Sequence, residues 1–427
     1  MPKPKPTRKE LENIALLAGS VFAPAVPVSE QSLFAGRMSE IRRVVDAINQ
    51  RGRHAVVYGE RGVGKTSLAN IISTKFTAGT REVVAPRINC DGTDNFSSLW
   101  KKVFAEVDLI KKKRQAPGFQ MTVFVETVKA SEVVPDDVTP DHVRRLLTLL
   151  GEDKLIILVF DEFDRITDAD TRRAMADTIK ALSDHDVDAT VIIVGVGDSV
   201  DELIAEHRSI DRALDQIPMP RMRREEIYEL LRNGAGRLGI KITQQAQLRI
   251  ALLSQGLPHY AHLLALHSVR TALDDGTASV EVSHVSNAIA KAAAGSQRSL
   301  LSDLQKATTS PQKGKHLYRE VLLACAMAKT DQFGFFYAAD VRGPLSTIMR
   351  KPYAIPSFAK HLNDFCHTEK GPVLQKVGVK HKFRYRFINP LLQPLVIMNG
   401  IVNGLITEEV LERDGTPRDE TPMTPAL

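Results

Sequence analysis

The chain has 427 residues, of which 43% are apolar and 25% are charged, and its formal net charge is +6 at pH 7. This composition is typical of a globular protein of two or three domains and excludes fibrous and wholly disordered classes. The three cysteines are widely spaced and odd in number, which argues against a disulfide framework and a zinc site and favours a reducing compartment. No apolar run approaches the ~18 residues of a membrane-spanning helix, so no membrane partner is expected.

Residues 1–31 are predicted to form a tail and a helix. Basic residues before Ile14–Ala23 faintly imitate a secretion signal, but Glu10 and Glu12 interrupt the pattern, so we expect an ordinary helix in a cytoplasmic protein. Residues 38–48 have the spacing of an amphipathic helix with Ser39 as its N-cap. For the turn before it, which contains Phe34, two readings stay open: the turn and helix simply pack on a sheet, or Phe34 borders the base of a nucleotide.

The strongest motif follows a short apolar run, Ala55–Tyr58. Residues 59–66 match the G-x-x-x-x-G-K-[ST] phosphate-binding loop at every fixed position. In such a loop glycines let backbone N–H groups point at phosphate oxygens, a lysine contacts the β- and γ-phosphates, and a hydroxyl ligates Mg²⁺. We therefore expect ATP and Mg²⁺ as cofactors, with a helix from residue 67 directing its positive end at the anion. The residues predicted to hold them are Gly59, Glu60, Arg61, Gly62, Val63, Gly64, Lys65, Thr66 and Ser67, of which Lys65 is also catalytic and Thr66 a metal ligand.

The next segment is less informative. Residues 82–90 are predicted as a second strand and residues 95–109 as a helix. Trp100 falls at helical spacing with other apolar residues, which favours a core position over a ligand contact. The basic run Lys111–Arg114 and the turn-rich segment up to Thr139 predict a surface excursion or a partner loop. Such a run is usually a solvated face, and contact with nucleic acid stays open.

A second motif is an apolar strand, Leu155–Phe160, that ends in Asp161 and Glu162. Six consecutive apolar residues are typical of a parallel strand buried on both faces. The carboxyl end of such a strand borders the ligand crevice of an open α/β sheet. We predict that Asp161 holds Mg²⁺ and that Glu162 activates the attacking water as general base; the alternative is a solvated acidic turn. No chemistry is assigned to Asp164 or Arg165.

A fourth strand, Thr190–Val194, is followed by Asp198 and Ser199. A polar side chain at this strand end could reach the γ-phosphate, but a carboxylate there repels phosphate unless Mg²⁺ or an arginine intervenes. Asp198 is therefore either a catalytic sensor or the cap of the next helix. If Asp198 is the cap, Ser199 takes the role of sensor.

An arginine that precedes the fifth strand, near residues 216–220, could act on a neighbouring subunit's ATP as an arginine finger. We favour Arg212 over Arg208 for this catalytic role. The alternative is a surface arginine that pairs with Asp211 or Asp215.

From Arg223 to about Gly295 the pattern turns helical and predicts a lid of four helices. Pro258 suits the first turn of the third helix. If that helix end faces the nucleotide, His259 lies near the phosphates and Tyr260 near the base; otherwise both side chains pack. We include His259 among the predicted nucleotide contacts, without a catalytic role.

The C-terminal third is basic. Residues 297–315 predict a linker. Residues 316–400 predict three helices, the second interrupted at Gly343-Pro344, followed by a hairpin that turns at Gly378, and three helices with a hairpin make a winged helix. Residues 312–400 contain fourteen lysines and arginines and five acidic residues, a concentration of charge that favours double-stranded DNA over a protein as partner. Residues 401–427 predict a disordered tail. The predicted DNA contacts are Lys360, Lys380, Lys382, Arg384 and Arg386.

Together, the turn at Phe34, the phosphate-binding loop, the acidic pair, Arg212, the lid and the C-terminal winged helix resemble AAA+ ATPases of the origin-recognition and cell-division-control type and the related signal-transduction ATPases with numerous domains. The resemblance covers residues 32–400. It implies an α/β P-loop NTPase core at 32–220 with a parallel five-stranded sheet, a lid at 221–296 and a winged helix at 316–400.

The resemblance further implies that Lys65 and Thr66 bind phosphate and Mg²⁺, that Glu162 activates water, that Asp198 is the strand-end sensor and that Arg212 is the finger. The initiator family tends to place an arginine in the lid near His259 and an asparagine where Asp198 stands. Both departures favour a slow switch over fast hydrolysis.

Three functions remain open at this point. The first is an oligomeric, slow and partner-stimulated ATPase that acts as a switch or loader on DNA. The second is a signalling or defence-type ATPase whose winged helix contacts a protein. The third is a nucleotide-binding scaffold with negligible turnover.

Overall fold

The computed structural model describes residues 7–24, 36–75, 81–115, 122–152, 154–197, 200, 210, 212–309, 317–379 and 382–414. The chain forms two compact units. The α/β unit comprises Pro27–Glu60 and Gly64–Met219, and the helical unit comprises Met1–Val26, Arg61–Val63 and Pro220–Leu427. Among the described residues, no helix has the length and apolar character needed to cross a lipid bilayer.

Strands and helices are numbered along the chain. The strands are β1 (His54–Gly59), β2 (Glu82–Val84), β3 (Arg87–Asn89), β4 (Asp108–Gln115), β5 (Thr122–Lys129), β6 (Lys154–Asp161), β7 (Ala189–Val196), β8 (Leu214–Pro218), β9 (Lys241–Ile242), β10 (Ser279–Val280), β11 (Phe336–Tyr337), β12 (Leu374–Val377) and β13 (Arg384–Phe387). The helices are α1 (Arg8–Val21), α2 (Met38–Ile48), α3 (Lys65–Lys75), α4 (Phe96–Ala105), α5 (Pro140–Gly151), α6 (Ala169–Asp184), α7 (Arg224–Leu238), α8 (Gln244–Ser254), α9 (Pro258–Asp274), α10 (Val282–Ala294), α11 (Arg298–Thr308), α12 (Tyr318–Met327), α13 (Ala338–Met349), α14 (Ala359–Asp364), α15 (Leu392–Val402) and α16 (Glu408–Asp414).

The α/β unit is built on a parallel sheet in the order β2-β6-β7-β1-β8, with β3 also beside β6. β1 lies between β7 and β8, and Val57 pairs with Val194 on one side and Ile217 on the other. Strands β6 and β7 are apolar and buried along nearly their whole length, as central parallel strands are. The predicted second strand is divided into β2 and β3 because Pro86 between them has no N–H to donate. The Pro86 carbonyl still accepts a hydrogen bond from the Val159 N–H at 3.0 Å.

The core of the α/β unit forms around Trp100 of α4, which is fully buried. Its ring centroid lies 5.4 Å from that of Phe160 in β6 and 5.6 Å from that of Phe104. Aromatic pairs of this geometry stabilise a fold beyond the effect of their buried area. The predicted core position of Trp100 is confirmed.

Helix α2 has the predicted bounds but a different N-cap. Arg37 occupies the N-cap position, and the Ser39 hydroxyl donates to the Glu40 carboxylate at 2.6 Å. Arg37 is buried and forms an ion pair with Glu40 at 3.2 Å. The N-cap prediction for Ser39 is therefore wrong, because the N-cap position lies two residues earlier, at Arg37, and Ser39 is already inside the helix.

The basic run and part of the segment predicted as turn-rich form an antiparallel hairpin, and a helix begins directly after that segment. Strands β4 and β5 pair from Asp108 with Lys129 to Gln115 with Thr122, so the basic run 111–114 belongs to a strand. Helix α5 then begins behind an N-cap threonine and a proline in its first turn. The predicted surface excursion therefore contains a regular hairpin, which the polar composition of its strands did not indicate.

The helical unit contains the N-terminal helix. Helix α1 packs against α7 and α9, and Phe22, just past its end, is fully buried. The Phe22 ring meets the His262 ring edge-on, with centroids 6.1 Å apart. A Cβ added at Gly234 of α7 would lie 2.4 Å from the Phe22 ring. The missing side chain at Gly234 therefore lets α1 approach the lid helices closely.

Farther along the helical unit, helices α12 to α14 precede a hairpin, and β11-β13-β12 form a three-stranded antiparallel sheet. Gly378 lies in the turn before β13 with φ of +102°, a conformation that favours glycine. Helix α13 runs continuously through Gly343 and Pro344, so the predicted interruption is wrong. The proline removes one backbone hydrogen bond there, which the surrounding helix tolerates.

Helix α11 lies within residues 297–315, which were predicted to be a linker. Leu300, Leu304 and Ala307 are buried along one face of this helix. The linker prediction is wrong for this stretch because three apolar side chains among polar ones suffice to anchor an amphipathic helix.

Helix α16 lies within residues 401–427, which were predicted to be disordered. Its Glu408 and Glu412 form ion pairs with Arg249 of α8, the second at 2.7 Å, and Arg249 is buried. The disorder prediction is wrong up to residue 414, because the acidic residues that suggested it have a buried cationic partner.

Candidate nucleotide-binding site

The phosphate-binding loop connects β1 to α3 through three glycines with positive φ. Gly59, Gly62 and Gly64 have φ of +154°, +86° and +102°. A Cβ added at Gly59 would lie 2.3 Å from the Met219 carbonyl oxygen, so this position also requires glycine for space. The three glycines let the loop turn sharply from the end of a strand into a helix, as the sequence motif predicts.

Lys65 is the first residue of α3 and is buried. Its ammonium group donates to the carbonyl oxygens of Gly59 and Glu60 at 2.9 and 2.7 Å. The loop therefore holds this cation at its own centre, beside the N–H groups at the start of the helix. Thr66 and Ser67 follow in the first turn, where a helix attracts anions.

Asp161 is the last residue of β6 and is almost completely buried. Its Oδ1 accepts a hydrogen bond from the Glu162 N–H at 2.9 Å, and its Oδ2 accepts one from Nη2 of Arg87 at 2.8 Å. Arg87 lies on β3, two residues before Asn89, which pairs with Asp161 across the strands. The sequence analysis did not identify Arg87 as a site residue. The available signal was that Arg87 lies two residues before Asn89 on a strand, so their side chains share one face.

Glu162 follows Asp161 in a left-handed backbone conformation, with φ of +56°, which is uncommon for a residue other than glycine. Its side chain is half-exposed and its Oε2 lies 3.0 Å from Nη1 of Arg165. Asp164 accepts a hydrogen bond from the Val196 N–H at 2.8 Å, which fixes the turn after β6 to the end of β7. Asp164 and Arg165, to which the sequence assigned no chemistry, thus order the surroundings of Glu162.

The donor set fits a magnesium nucleotide. A hydroxyl in the first turn of α3 and a carboxylate at the end of β6 are oxygen ligands of the kind that Mg²⁺ prefers. Lys65 and the helix start provide positive charge for phosphates. Phe34, Asp198 and Ser199 lie outside the described residues, and their predicted roles stay predictions.

Arg212 precedes β8, and Arg208 lies outside the described residues. The Arg212 guanidinium is 79% exposed and pairs with Asp184 at 3.1 Å, whereas Asp215 pairs with Arg43. Because β8 and β1 are parallel, Arg212 lies at the edge of the sheet where β1 begins, about 17 Å of strand from the phosphate-binding loop. Arg212 is therefore too far along the strand to contact a nucleotide in this chain's own loop, and its role as an arginine finger stays a prediction.

In the helical unit, Nδ1 of His259 lies 2.8 Å from the Pro24 carbonyl oxygen, and burial lowers the pKa of this imidazole. Tyr260 is buried, its hydroxyl donates to the Leu391 carbonyl at 2.8 Å, and burial raises its pKa to about 12. Of the two alternatives for Tyr260, packing is the one observed. The nucleotide contact of His259 stays a prediction.

The predicted DNA contacts differ in their surroundings. Lys360 and Lys382 are exposed, and Lys380 lies outside the described residues. Arg384 and Arg386 both lie over the Phe335 ring, with guanidinium carbons 4.7 and 4.6 Å from its centroid. Tyr385 and Phe387, which alternate with these arginines along β13, are buried on the other face of the strand. Arg384 also pairs with Asp331, and Arg386 donates to Gln375.

Comparison with known proteins gives matches at the level of family and fold. Residues 33–194 match the family model for the AAA ATPase domain. The Walker-type ATPase of Pyrococcus abyssi is 15% identical to this chain, and the match covers 88% of this chain and 99% of that protein. Its TM-score of 0.51 shows that the two share a fold. Cdc6p from Pyrobaculum aerophilum is 16% identical over 91% of this chain and 99% of its own, with a TM-score of 0.44.

The Aeropyrum pernix ORC1 protein, solved in complex with DNA, is 15% identical over 90% of this chain and 97% of its own, with a TM-score of 0.44. A search of curated proteins gives no match. The family match covers the phosphate-binding loop, both members of the acidic pair and the strands that carry them. Residues 33–194 thus carry an AAA ATPase domain, in agreement with the AAA+ ATPase resemblance recognised in the sequence.

Proposed function

We propose that this protein is a Mg²⁺-dependent ATPase that works as an oligomeric molecular switch or loader on double-stranded DNA. The observation that carries the ATPase part is the glycine loop with Lys65 at its centre, in the same sheet as a strand that ends in Asp161 and Glu162. Cation and loop N–H groups suit the phosphates, and the two carboxylates suit a metal and a water.

In this mechanism Lys65 leaves its loop carbonyls and contacts the phosphates, while the first turn of α3 binds them through its N–H groups. Asp161 and Thr66 would hold Mg²⁺, which supplies charge neutralisation of the phosphates when bound. Glu162 accepts a hydrogen bond from the attacking water once it leaves Arg165, and orients that water as general base. Arg212, exposed at the far edge of the sheet, supplies charge to the site of a neighbouring copy.

The DNA part rests on the charge of residues 312–400 and on a winged-helix arrangement of α12 to α14 with the β11-β13-β12 sheet. Lys360 and Lys382 are exposed there and are available for phosphate contacts. Contacts of this kind carry affinity without sequence preference and weaken steeply with salt.

The test compares duplex DNA binding by the full chain with and without an ATP analogue, over a series of salt concentrations. Replacing both Lys360 and Lys382 by alanine should weaken binding and reduce the salt dependence by about two charges. Lys180→Ala, an exposed lysine on α6, is the matched control and should bind as the wild type does. Equal DNA affinity in the double variant and the control would contradict the DNA-binding role.

A second function is favoured by the surroundings of β13. Arg384 and Arg386 are engaged with Phe335, Asp331 and Gln375, so two of the five predicted DNA contacts have structural partners. A winged helix with these arginines committed to its own fold also suits a protein partner in a signalling or defence-type ATPase. Nucleotide-dependent oligomerisation without DNA binding, measured by mass in solution, would select this alternative.

A further inference from the structure

Asp161, the carboxylate predicted to hold the metal, forms an ion pair with Arg87. Oδ2 of Asp161 lies 2.8 Å from Nη2 of Arg87, and the side chains are 3% and 21% exposed. The other carboxylate oxygen, Oδ1, accepts the Glu162 N–H. In the described part of the chain both oxygens of Asp161 are thus satisfied without a metal.

Two features make Arg87 a fixed neighbour of Asp161 rather than a chance contact. β3 pairs with β6 in parallel, with Asn89 opposite Asp161, so Arg87 reaches Asp161 from the adjacent strand. A second nitrogen of Arg87, Nη1, lies 3.5 Å from the Asn70 amide oxygen in α3. Arg87 therefore lies between the helix that follows the phosphate-binding loop and the strand that ends in the acidic pair.

A buried carboxylate without a partner is costly, and a guanidinium that stays protonated at all relevant pH values removes that cost. The same guanidinium opposes a divalent cation at this carboxylate, because it repels the ion and already uses one of the oxygens. When a metal ion binds together with a triphosphate, the negative charge of the phosphates offsets the repulsion between the ion and the guanidinium. A metal ion alone has no such compensation.

On the basis of the proposed function, we infer that Arg87 is a positioning residue. It forms an ion pair with Asp161 in place of the metal and so makes metal binding depend on bound nucleotide. Before nucleotide binds, Arg87 holds the Asp161 carboxylate in place through the contact between Nη2 and Oδ2. It also prevents divalent cations from occupying the carboxylate before the phosphates are in place.

The experiment measures Mn²⁺ binding to the full chain without nucleotide, from the loss of the free-ion electron paramagnetic resonance signal. Arg87→Gln should bind Mn²⁺ at least about tenfold more tightly than the wild type, because a neighbouring cation no longer opposes it. Arg87→Lys keeps the charge and should behave as the wild type does. Adding Asp161→Asn to Arg87→Gln should abolish the new site.

Arg81→Gln is the matched control, since Arg81 pairs with Asp188 at the same 2.8 Å distance. This pair lies beside the first residue of β6, at the end of the strand opposite to Asp161. If Arg87→Gln binds Mn²⁺ no more tightly than Arg81→Gln and the wild type, the inference is overturned.

Arg87→Gln leaves Asp161 buried and unpaired, so it could be unstable without metal. In that case Mn²⁺ alone must restore its thermal unfolding transition, and the Arg87→Gln/Asp161→Asn variant must fold without metal. A protein that stays unfolded in Mn²⁺ would also overturn the inference. Binding of a fluorescent ATP analogue to the wild type and to Lys65→Ala tests the proposed function separately, because the Mn²⁺ comparison uses no nucleotide.

Discussion

The ion pair between Glu162 and Arg165 makes a quantitative prediction about turnover. Glu162 cannot orient a water while its Oε2 is held 3.0 Å from the Arg165 guanidinium. Arg165→Gln keeps the length and polarity of the side chain but removes its charge. If Glu162 is the general base, as proposed, we expect this variant to hydrolyse ATP faster than the wild type, because Glu162 no longer has to leave a cation before it acts.

The size of the effect follows from the exposure of the pair. The two side chains are 52% and 55% exposed, so solvent screens their attraction. Exposed pairs of this kind contribute about 0.2–1 kcal/mol. Because 1.36 kcal/mol corresponds to a tenfold change in rate, the expected gain in rate is about 1.4- to fivefold.

The assay is steady-state phosphate release at saturating magnesium and ATP. Arg173→Gln is the matched control, since Arg173 forms a comparable exposed pair with Asp170 at 2.9 Å, also three residues apart. The control should keep the wild-type rate, and Glu162→Gln should abolish turnover in either background. If Arg165→Gln is slower than the control, or indistinguishable from it, Arg165 does not restrain the base and the reasoning fails.

Three further predictions concern binding and stability. Lys65→Ala should weaken binding of a fluorescent ATP analogue by about 10- to 150-fold, since a hydrogen bond to a charged group contributes ~1.5–3 kcal/mol; unchanged affinity would contradict the site. Gly234→Ala should oppose the docking of Phe22 by ~1–3 kcal/mol through overpacking, whereas Gly236→Ala, with open space at its Cβ, should stabilise α7 by ~0.8–1.0 kcal/mol. Hydrogen exchange of α1 separates the two, and equal protection in both would count against the packing. Burial lowers the pKa of His262 from 6.5 to about 4, so the unfolded chain takes up the proton at a higher pH than the folded chain does. The free energy of unfolding should therefore fall as the pH drops from 6.5 to about 4. His262→Leu should reduce this pH dependence, which hydrogen exchange of the helical unit measures.

The sequence was sufficient for the parts of the site that are local in the chain. The glycines and Lys65 act within one continuous loop, so their spacing alone encodes the geometry that the backbone adopts. The strand that ends in Asp161 could be recognised because central parallel strands are apolar on both faces, a property visible residue by residue.

Polar composition misled the sequence reading where burial depended on distant partners. Helix α11 needed only three apolar residues on one face to pack. Helix α16 is held by Arg249, which is 163 residues before Glu412 in the chain. A one-dimensional pattern shows that such segments are polar but not that a complementary surface exists for them.

Only the tertiary structure decided which charges neutralise one another around the acidic pair. Arg87 and Asp161 are 74 residues apart and meet because two parallel strands place them side by side. Asp164 reaches the Val196 N–H at a separation of 32 residues through the same sheet. The sequence by itself determined which groups are candidates to bind phosphate and metal, because these groups belong to short continuous motifs. The structure decided how those groups are restrained, because electrostatic pairing depends on distance and burial in space and not on separation along the chain.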